Sequence, residues 1–301
     1  MSDPRTVAVV TGANTGIGRA VALHLAGQQM SVYATVRARD KAAKLLAQAD
    51  DLGVTVHLVE LDVADDTSVH DGFAHVLVDA GRVDVLVNNA GIGGNGVVEE
   101  ATIADYAAVM DVNVFGAIRC LKAVLPGMRA RRSGTIVNIS SVAGRFAAIA
   151  QAPYVTSKWA LEGMSEQLAH EVAQFGIRVA IIEPGITKSS IFGKNTGGTE
   201  PGSDYEPHLR RMFRYYQVGH AHATDAVEVA VVVHHAITTD DPRLRYTMSW
   251  SGPEIATTRA ALPDEEWVAL GAIVDDDEYY RAFRDLFGVD ITAAALPDRD
   301  R

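Results

Sequence analysis

One cysteine, Cys120, stands in a chain of 301 residues. That excludes an internal disulfide and any metal cluster built on cysteine. A lone cysteine of this kind reads as a small buried apolar residue. The ten histidines show no ligand spacing with cysteines or carboxylates. His234 and His235 are adjacent, so they point in different directions on a helix, and no metal site is expected. No apolar run approaches the ~20 residues that a membrane span needs, so no membrane partner is expected. The opening MSDPRTVAVVTG has no charged leader, apolar stretch and cleavage site of a signal peptide. A cytoplasmic location is the expectation. Basic residues are in the minority, 27 Lys and Arg against 38 Asp and Glu, for a formal charge of −11. A chain of that sign repels phosphate backbones, which excludes nucleic acid as a partner. No internal repeat or low-complexity tract is visible.

What is present is typical of a soluble globular protein: 48% hydrophobic and 22% charged residues, with enough length for a sizeable core. Apolar runs alternate with helical patterns. TVAVVTG (6–12), SVYATV (31–36), VTVHLVEL (54–61), VDVLVNNAG (83–91), GTIVNISS (134–141) and IRVAIIEPG (177–185) read as strands, and RLRYTMSW (243–250) as a seventh. Helical spacing covers 19–28, 39–50, 66–81, about 103–131, about 154–174 and 226–237. Strands this apolar, alternating with helices, predict a parallel sheet covered on both faces. The fold class expected is α/β, a three-layer doubly wound (Rossmann) fold with a parallel seven-stranded sheet and a C-terminal helical extension. The chain reads as one domain over 1–301. Its core spans about 5–250, a substrate loop or lid about 187–222, and the extension about 251–301. The lid contains a Gly-, Ser-, Thr- and Pro-rich loop and a short aromatic helix near 208–220. A loop of that length inside a domain is usually functional. The extension reads as one or two acidic surface helices.

TGANTGIG follows the first strand and opens a helix, with Gly12, Gly16 and Gly18 in it. Backbone N–H groups at such a junction hold a pyrophosphate, and glycine lets the chain come close. The alternative is a tight turn that only packs helix on strand. Further on, Tyr154 and Lys158 in YVTSK lie four residues apart, one turn along one helical face. An ammonium there stabilises a phenolate, lowers the tyrosine from its usual value near 10 and makes it a usable acid or base.

The spacing G-x-x-x-G-x-G, Asp62 in LDV, NNAG (88–91), Asn113 in DVNVFG, IVNISS with YVTSK, and PG (184–185) occur in that order. With them the chain resembles the short-chain dehydrogenase/reductase family over about residues 5–250, in the subtype whose core has roughly that length. VYATVR after the first helix and the long C-terminal part resemble the steroid and retinol dehydrogenase branch. The resemblance implies hydride transfer between a nicotinamide dinucleotide and a carbonyl or alcohol. It implies that Ser141, rather than Ser140, bonds the substrate oxygen and that Tyr154 carries the proton. Lys158 would tune Tyr154 and grip the nicotinamide ribose. Asn113, a mediocre helix former, would disturb its helix and hold a water that links Lys158 to solvent.

The same resemblance implies cofactor contacts from Gly12, Asn14, Thr15, Gly16, Ile17 and Gly18, from Asp62 at the adenine amino group with Val63 beside it, and from Asn89, Ala90, Gly91 and Val112. Tyr154, Lys158, Pro184, Gly185, Ile186 and Thr187 complete the set, and either Thr187 or Ser189 would offer a hydroxyl to the carboxamide. The residues at the end of the second strand choose the dinucleotide. There Arg37 stands where a carboxylate would bond the 2′-OH of NAD, with Arg39 nearby. A guanidinium suits a 2′-phosphate, so NADP(H) is favoured over NAD(H), although Thr15 stands where many NADP-dependent relatives carry a basic residue.

Substrate walls are sought in Gly93–Val97, Val142–Ala150 and Ile186–Tyr216. Phe146, Ile149, Ile191, Phe192, Met212 and Phe213 make these apolar, which suits a bulky hydrophobic ketone or alcohol. Phe213, Tyr215 and Tyr216 either line the pocket or pack the lid helix. The partner expected is thus a small-molecule carbonyl or alcohol. A homodimer or homotetramer is expected through the helices at about 103–131 and 154–174, with a lean to the dimer because the extension would cover one interface. Two other readings stand beside the NADP(H) enzyme. One is an NAD-dependent alcohol dehydrogenase of the same family, and the other is a dinucleotide-binding sensor without turnover, though such sensors usually lose the tyrosine or lysine. A sugar-nucleotide epimerase would need a different glycine spacing.

Overall fold

The computed structural model describes residues 5–189, 195–196 and 202–292. Its elements run in chain order as β1 (Val7–Val10), α1 (Gly16–Gly27), β2 (Ser31–Val36), α2 (Ala43–Asp51), β3 (Val56–Glu60), α3 (Asp66–Ala80), β4 (Val85–Asn88), the two-residue β5 (Gly93–Gly94), α4 (Ile103–Met110), α5 (Gly116–Arg131), β6 (Gly134–Ile139), α6 (Ala152–Val172), β7 (Ile177–Pro184), the two-residue β8 (Asn195–Thr196), α7 (Glu206–Ala221), α8 (Ala226–Thr238), β9 (Arg245–Met248), α9 (Gly252–Ala261), α10 (Asp264–Gly271) and α11 (Asp276–Phe287). Seven strands form one sheet in the order β3-β2-β1-β4-β6-β7-β9. Every ladder in it is parallel. The expected doubly wound, three-layer fold is therefore present, and the chain reverses direction across the sheet between β1 and β4, where a crevice opens at the strand C-termini.

The central strands are apolar on both faces because helices cover both. Every residue of β1, β2 and β4 is buried. On one face, Val21, Ala22 and Leu25 of α1 meet Val229, Ala230 and Val233 of α8 over Val10, Val32, Val87 and Ile182. On the other, Phe73 and Val76 of α3, Leu121 and Val124 of α5 and Leu168 of α6 pack on Val9, Leu86 and Ile136. Each Val, Leu, Ile or Phe among them contributes roughly 1.5–3 kcal/mol on burial. Helix starts carry their own signals: Asp65 caps α3, accepting from Ser68 N at 2.6 Å, and Thr102 and Asp105 form a capping box on α4. No helix among the described residues is long and apolar enough to cross a membrane.

Three local expectations are corrected. The helix expected over 103–131 is interrupted at Asp111–Phe115 by a π-helical turn, which carries Asn113. The helix expected from residue 39 begins as a 3-10 turn over Arg39–Ala42. The extension is more than acidic surface. Its described residues form three helices, and Tyr279, Phe283 and Phe287 of α11 are 1–3% exposed. At spacing i, i+4, i+8 they share one buried face, while Asp276, Asp277 and Glu278 occupy the first turn, where the helix dipole favours them. That face closes a third core with Val142, Phe146, Val218, Ile255 and Leu270. The extension thus packs against the segment after β6 and against α7.

Candidate active site

A cavity of about 210 Å³ runs along the C-terminal ends of the strands. The turn between β1 and α1 forms one end. Gly12 and Gly16 there have φ of +64° and +54°, a region glycine enters without strain. Gly12, Asn14, Thr15, Gly16 and Ile17 line the cavity. Gly18 lies behind the lining. A Cβ on it would fall 2.2 Å from Asn89 Nδ2 and 2.6 Å from Gly12 O. Its role is to let α1 close on the NNAG turn, where Asn89 Nδ2 donates to Thr11 O at 2.8 Å.

Arg37, exposed at the end of β2, lines the same cavity, as do Asp62 and Val63 after β3. Arg39 instead donates to Leu58 O at 3.4 Å. Asp62 Oδ1 accepts from Ala64 N at 3.0 Å, which fixes the turn that presents it. Asn89, Ala90, Gly91 and Val112 form the floor, and Pro184, Gly185, Ile186 and Thr187 the far wall. Thr187 and Ser189 both line it. The Thr187 hydroxyl already donates to Ser249 Oγ at 3.0 Å. The positive-φ turn, the N-terminus of α1 and the groove floored by backbone fit an extended dinucleotide. With one bound, the glycine turn would hold its phosphates, Arg37 and Asp62 its adenosine end, and the 184–187 segment its nicotinamide end.

Ser141, Tyr154 and Lys158 meet where the floor and far wall converge. Ser141 follows β6 and caps the 3-10 turn Val142–Gly144, accepting from Ala143 N at 3.1 Å. Its hydroxyl donates to Pro184 O at 3.4 Å and also bonds the Tyr154 phenol. Tyr154 and Lys158 stand one turn apart on α6. Lys158 Nζ donates to Ile139 O at 2.9 Å and lies 5.6 Å from the centroid of the Tyr154 ring.

Burial pulls the Lys158 ammonium down to about 8, while the charge of Glu162 opposes the fall. Burial pushes the Tyr154 phenol up to about 12, and the Ser141 hydrogen bond works against it. The depressed tyrosine expected from the i, i+4 spacing is therefore corrected for the protein alone. The ammonium is anchored at the Ile139 carbonyl and faces the ring rather than the phenol oxygen, and desolvation outweighs it.

Asn113 lies outside the main cavity, 2% exposed. Its Oδ1 accepts from Ile92 N at 2.9 Å, and its Nδ2 donates to Ile92 O at 3.0 Å and Ser157 Oγ at 2.9 Å. The π turn swings this amide inward, where it braces the segment after NNAG against α6. Its side chain is committed to these bonds.

The substrate end divides the expected residues. Gly93, Val142, Phe146, Ile186, Tyr215 and Tyr216 line the cavity. The two tyrosines thus do more than pack the lid helix. Met212 is 2% exposed and packs on Val97 and Ala150, and Phe213 is 57% exposed and faces solvent. Ile149 packs on the same small cluster. Ile191 and Phe192 lie outside the described residues. Gln151 was missed by sequence reasoning: it lines the cavity and bonds the Tyr216 phenol. Its position three residues before Tyr154, one helical turn, was the available signal. Cys120 is fully buried and burial pushes its thiol up to about 12, so it is inert.

The family model described as short chain dehydrogenase matches residues 6–199. The 17-beta-hydroxysteroid dehydrogenase type 1 of Mus musculus is 38% identical over 257 residues, covering 81% of this chain and 73% of that one. Retinol dehydrogenase 8 of Homo sapiens is 42% identical over 211 residues, 67% of each chain. Among solved structures, a short-chain dehydrogenase from Streptomyces avermitilis superposes with a TM-score of 0.77 at 34% identity, covering 91% of this chain and all of that one. A metagenomic short-chain oxidoreductase in complex with NADP superposes with a TM-score of 0.65 at 28% identity, covering 80% and 95%.

Proposed function

The chain belongs to the short-chain dehydrogenase family of oxidoreductases, and on that premise we propose that it moves hydride between NADP(H) and a bulky hydrophobic ketone or secondary alcohol. The observation that carries the reading is the meeting of Ser141, Tyr154 and Lys158 in one cavity with the glycine turn. When bound, the nicotinamide supplies or accepts the hydride.

The chain's own residues handle the oxygen and its proton. A carbonyl oxygen placed between Ser141 Oγ and the Tyr154 phenol accepts a hydrogen bond from each, which polarises the carbonyl where negative charge develops. Tyr154 then delivers the proton to the nascent alkoxide. The Lys158 charge eases loss of that proton, since a phenolate beside an ammonium costs less. Asn113, locked to Ile92 and Ser157, keeps the floor of the site in place. Oxidation of an alcohol runs the same contacts backwards.

Two features support the finer points. Arg37 lines the adenosine end, with no carboxylate at the end of β2 to take a ribose 2′-OH, and this favours NADP(H). Val142, Phe146, Ala148 and Ile186 give the substrate end apolar walls. The relatives named above carry a steroid and a retinoid alcohol in their names. We further read the chain as one cytoplasmic unit that pairs as a homodimer through α4, α5 and α6; Phe115, in the π turn between α4 and α5, and Trp159 of α6 are 48% and 50% exposed.

The test is a panel of ketones and alcohols followed by NADPH absorbance, with NADH in parallel. Bulky ketones should turn over with the wild type and not with Tyr154→Phe. Equal turnover by the two proteins, or none by the wild type across the panel, defeats the reading.

A further inference from the structure

Directly behind the catalytic residues lies a buried ionic network that the chemistry above leaves unused. Glu162 follows Lys158 by one turn of α6 and is 5% exposed. Glu183, at the end of β7 and one residue before Pro184, is 1% exposed. Arg245 of β9 joins them: its Nε is 3.0 Å from Glu162 Oε2 and 3.3 Å from Glu183 Oε1. Its NH2 reaches the outer, exposed Glu166 at 2.6 Å. Arg145, just past the Ser141 turn, lies 3.7 Å from Glu183 Oε1, and the Thr247 hydroxyl donates to Glu183 Oε2 at 2.5 Å.

The network touches every segment that carries catalytic chemistry. A Cβ on Gly144 would lie 2.8 Å from Glu162 Cγ, 3.0 Å from Ser140 Oγ and 3.2 Å from Lys158 O. Glu162 is therefore pressed against the turn that begins at Ser141, and only a glycine at 144 allows it. Two buried carboxylates with one shared guanidinium are a poor way to gain stability, because desolvation offsets much of the attraction. Oε1 of Glu162 and of Glu183 lack a completed hydrogen bond. Such an arrangement asks for a reason, and its neighbour is Lys158.

We propose that Arg245, acting through Glu162, is a positioning residue for Lys158: it holds a negative charge one helical turn below the ammonium and ties that turn to the strand ends bearing Ser141 and Pro184. This rests on the oxidoreductase reading only in what Lys158 is for. Its direct consequence concerns the state of Lys158. Burial pushes Glu162 above the ordinary carboxylate range, Ser140 pulls it back, Glu183 pushes it further, and Arg245 restrains it. Without Arg245 the carboxyl takes up a proton and stops supporting the ammonium. The groups facing Glu162 are Lys158 and Glu166 on its own helix, Arg245 on β9, Glu183 on β7 and Ser140 after β6. Arg145 faces the same cluster across Glu183.

The test follows the ¹³Cε shift of Lys158 across a pH titration of the full-length protein, lysine-labelled, in the wild type, Glu162→Gln, Arg245→Met, Arg245→Lys and Glu166→Gln. Glu162→Gln and Arg245→Met should each lower the Lys158 midpoint by about half a pH unit or more, since each unit measures the differential interaction with the charged form. Arg245→Lys should restore it, and Glu166→Gln, whose charge sits in water, should leave it in place. The double variant should shift no further than Glu162→Gln alone, because both act through one carboxylate. In ketone reduction the high-pH limb of kcat/KM should move the same way, with KM for the ketone nearly unchanged. Glu162→Gln is nearly isosteric, so it carries the test if Arg245→Met fails to fold. Lowered melting temperatures with an unmoved Lys158 midpoint would overturn the proposal and leave the network as scaffold. The titration needs no turnover, so an inactive wild type would sink the proposed reaction and leave this result standing.

Discussion

Lys158 Nζ donates to the Ile139 carbonyl at 2.9 Å and looks onto the face of the Tyr154 ring, 5.6 Å from its centroid. The lysine is thus fixed by the end of β6, so one backbone carbonyl ties Lys158 to the strand that leads into Ser141. From that anchoring come expectations about both rate and stability.

Tyr154→Phe removes the proposed proton donor and should leave the fold intact. Ketone reduction should fall by roughly 10²–10⁴-fold, the usual worth of a positioned acid, while NADPH binding, read by fluorescence titration, stays within a few-fold. A variant with residual activity above a tenth of wild type would place the proton donor elsewhere.

Lys158→Met should be inactive yet more resistant to heat at neutral pH. Burial holds Lys158 at about 8 in the folded chain, below its ordinary value of 10.5. The unfolded chain therefore binds the extra proton between these values, and stability rises with pH across that window. Below about pH 8 the full cost of burying the ammonium is present; above about 10.5 it vanishes. The melting-temperature gain of Lys158→Met should be largest at pH 6–7, a few degrees for a chain this size, and should shrink from about pH 8 upwards. A gain that is independent of pH would show that packing, not charge, causes it.

Arg37→Asp should reverse the choice of dinucleotide. The guanidinium favours a 2′-phosphate, and a carboxylate repels it while bonding a free 2′-OH. The wild type should bind NADPH at least about tenfold more tightly than NADH, a difference of 1.4 kcal/mol, and the variant should prefer NADH. Equal affinities in the wild type would remove the NADP(H) assignment.

Gly18→Ala tests the turn. The new Cβ lands 2.2 Å from Asn89 Nδ2 and 2.6 Å from Gly12 O, so α1 must shift away from NNAG. Overpacking of this kind costs about 1–3 kcal/mol, and NADPH affinity should fall with it. A melting temperature within a degree of wild type would mean that the turn relaxes freely.

Arg211→Met tests the extension as a brace for α7. Arg211 is 3% exposed, bonds Asp276 at 2.8 Å and the Ile273 and Val274 carbonyls at 2.9 Å, and lies 4.2 Å from the Tyr279 ring centroid. Asp276 is a quarter exposed and keeps Arg210 as a partner, so losing the hydrogen bonds of Arg211 costs about 1–3 kcal/mol. Because Tyr215 and Tyr216 ride on α7, KM for a bulky ketone should rise several-fold, more than kcat falls. An unchanged KM would separate the extension from the substrate end.

Much of this protein is legible in its sequence because the signals are local. Apolar runs of strand length, bounded by helical spacing, specify a parallel sheet covered on both faces, and β1, β2 and β4 are buried throughout. TGANTGIG marks the first turn, and four residues between Tyr154 and Lys158 put them on one face. Other features depend on residues far apart in the chain. The aromatic stripe of α11 is periodic, but its target, Phe146 after β6, lies more than a hundred residues earlier, so the acidic first turn reads as surface. Tyr215 enters the pocket while its neighbour Phe213 faces solvent, because the packing of α7 decides which side turns inward.

The sequence by itself determined the fold, the glycine turn and the reach of Lys158 towards Tyr154, since periodicity and spacing act within a few residues. Only the tertiary structure decided how those groups behave. It set the Tyr154 phenol in the cavity wall, where desolvation raises it, fastened Lys158 to Ile139, and set Arg245 against Glu162 across 83 positions of chain. Burial and long-range charge are properties of the packed chain, and no local pattern carries them.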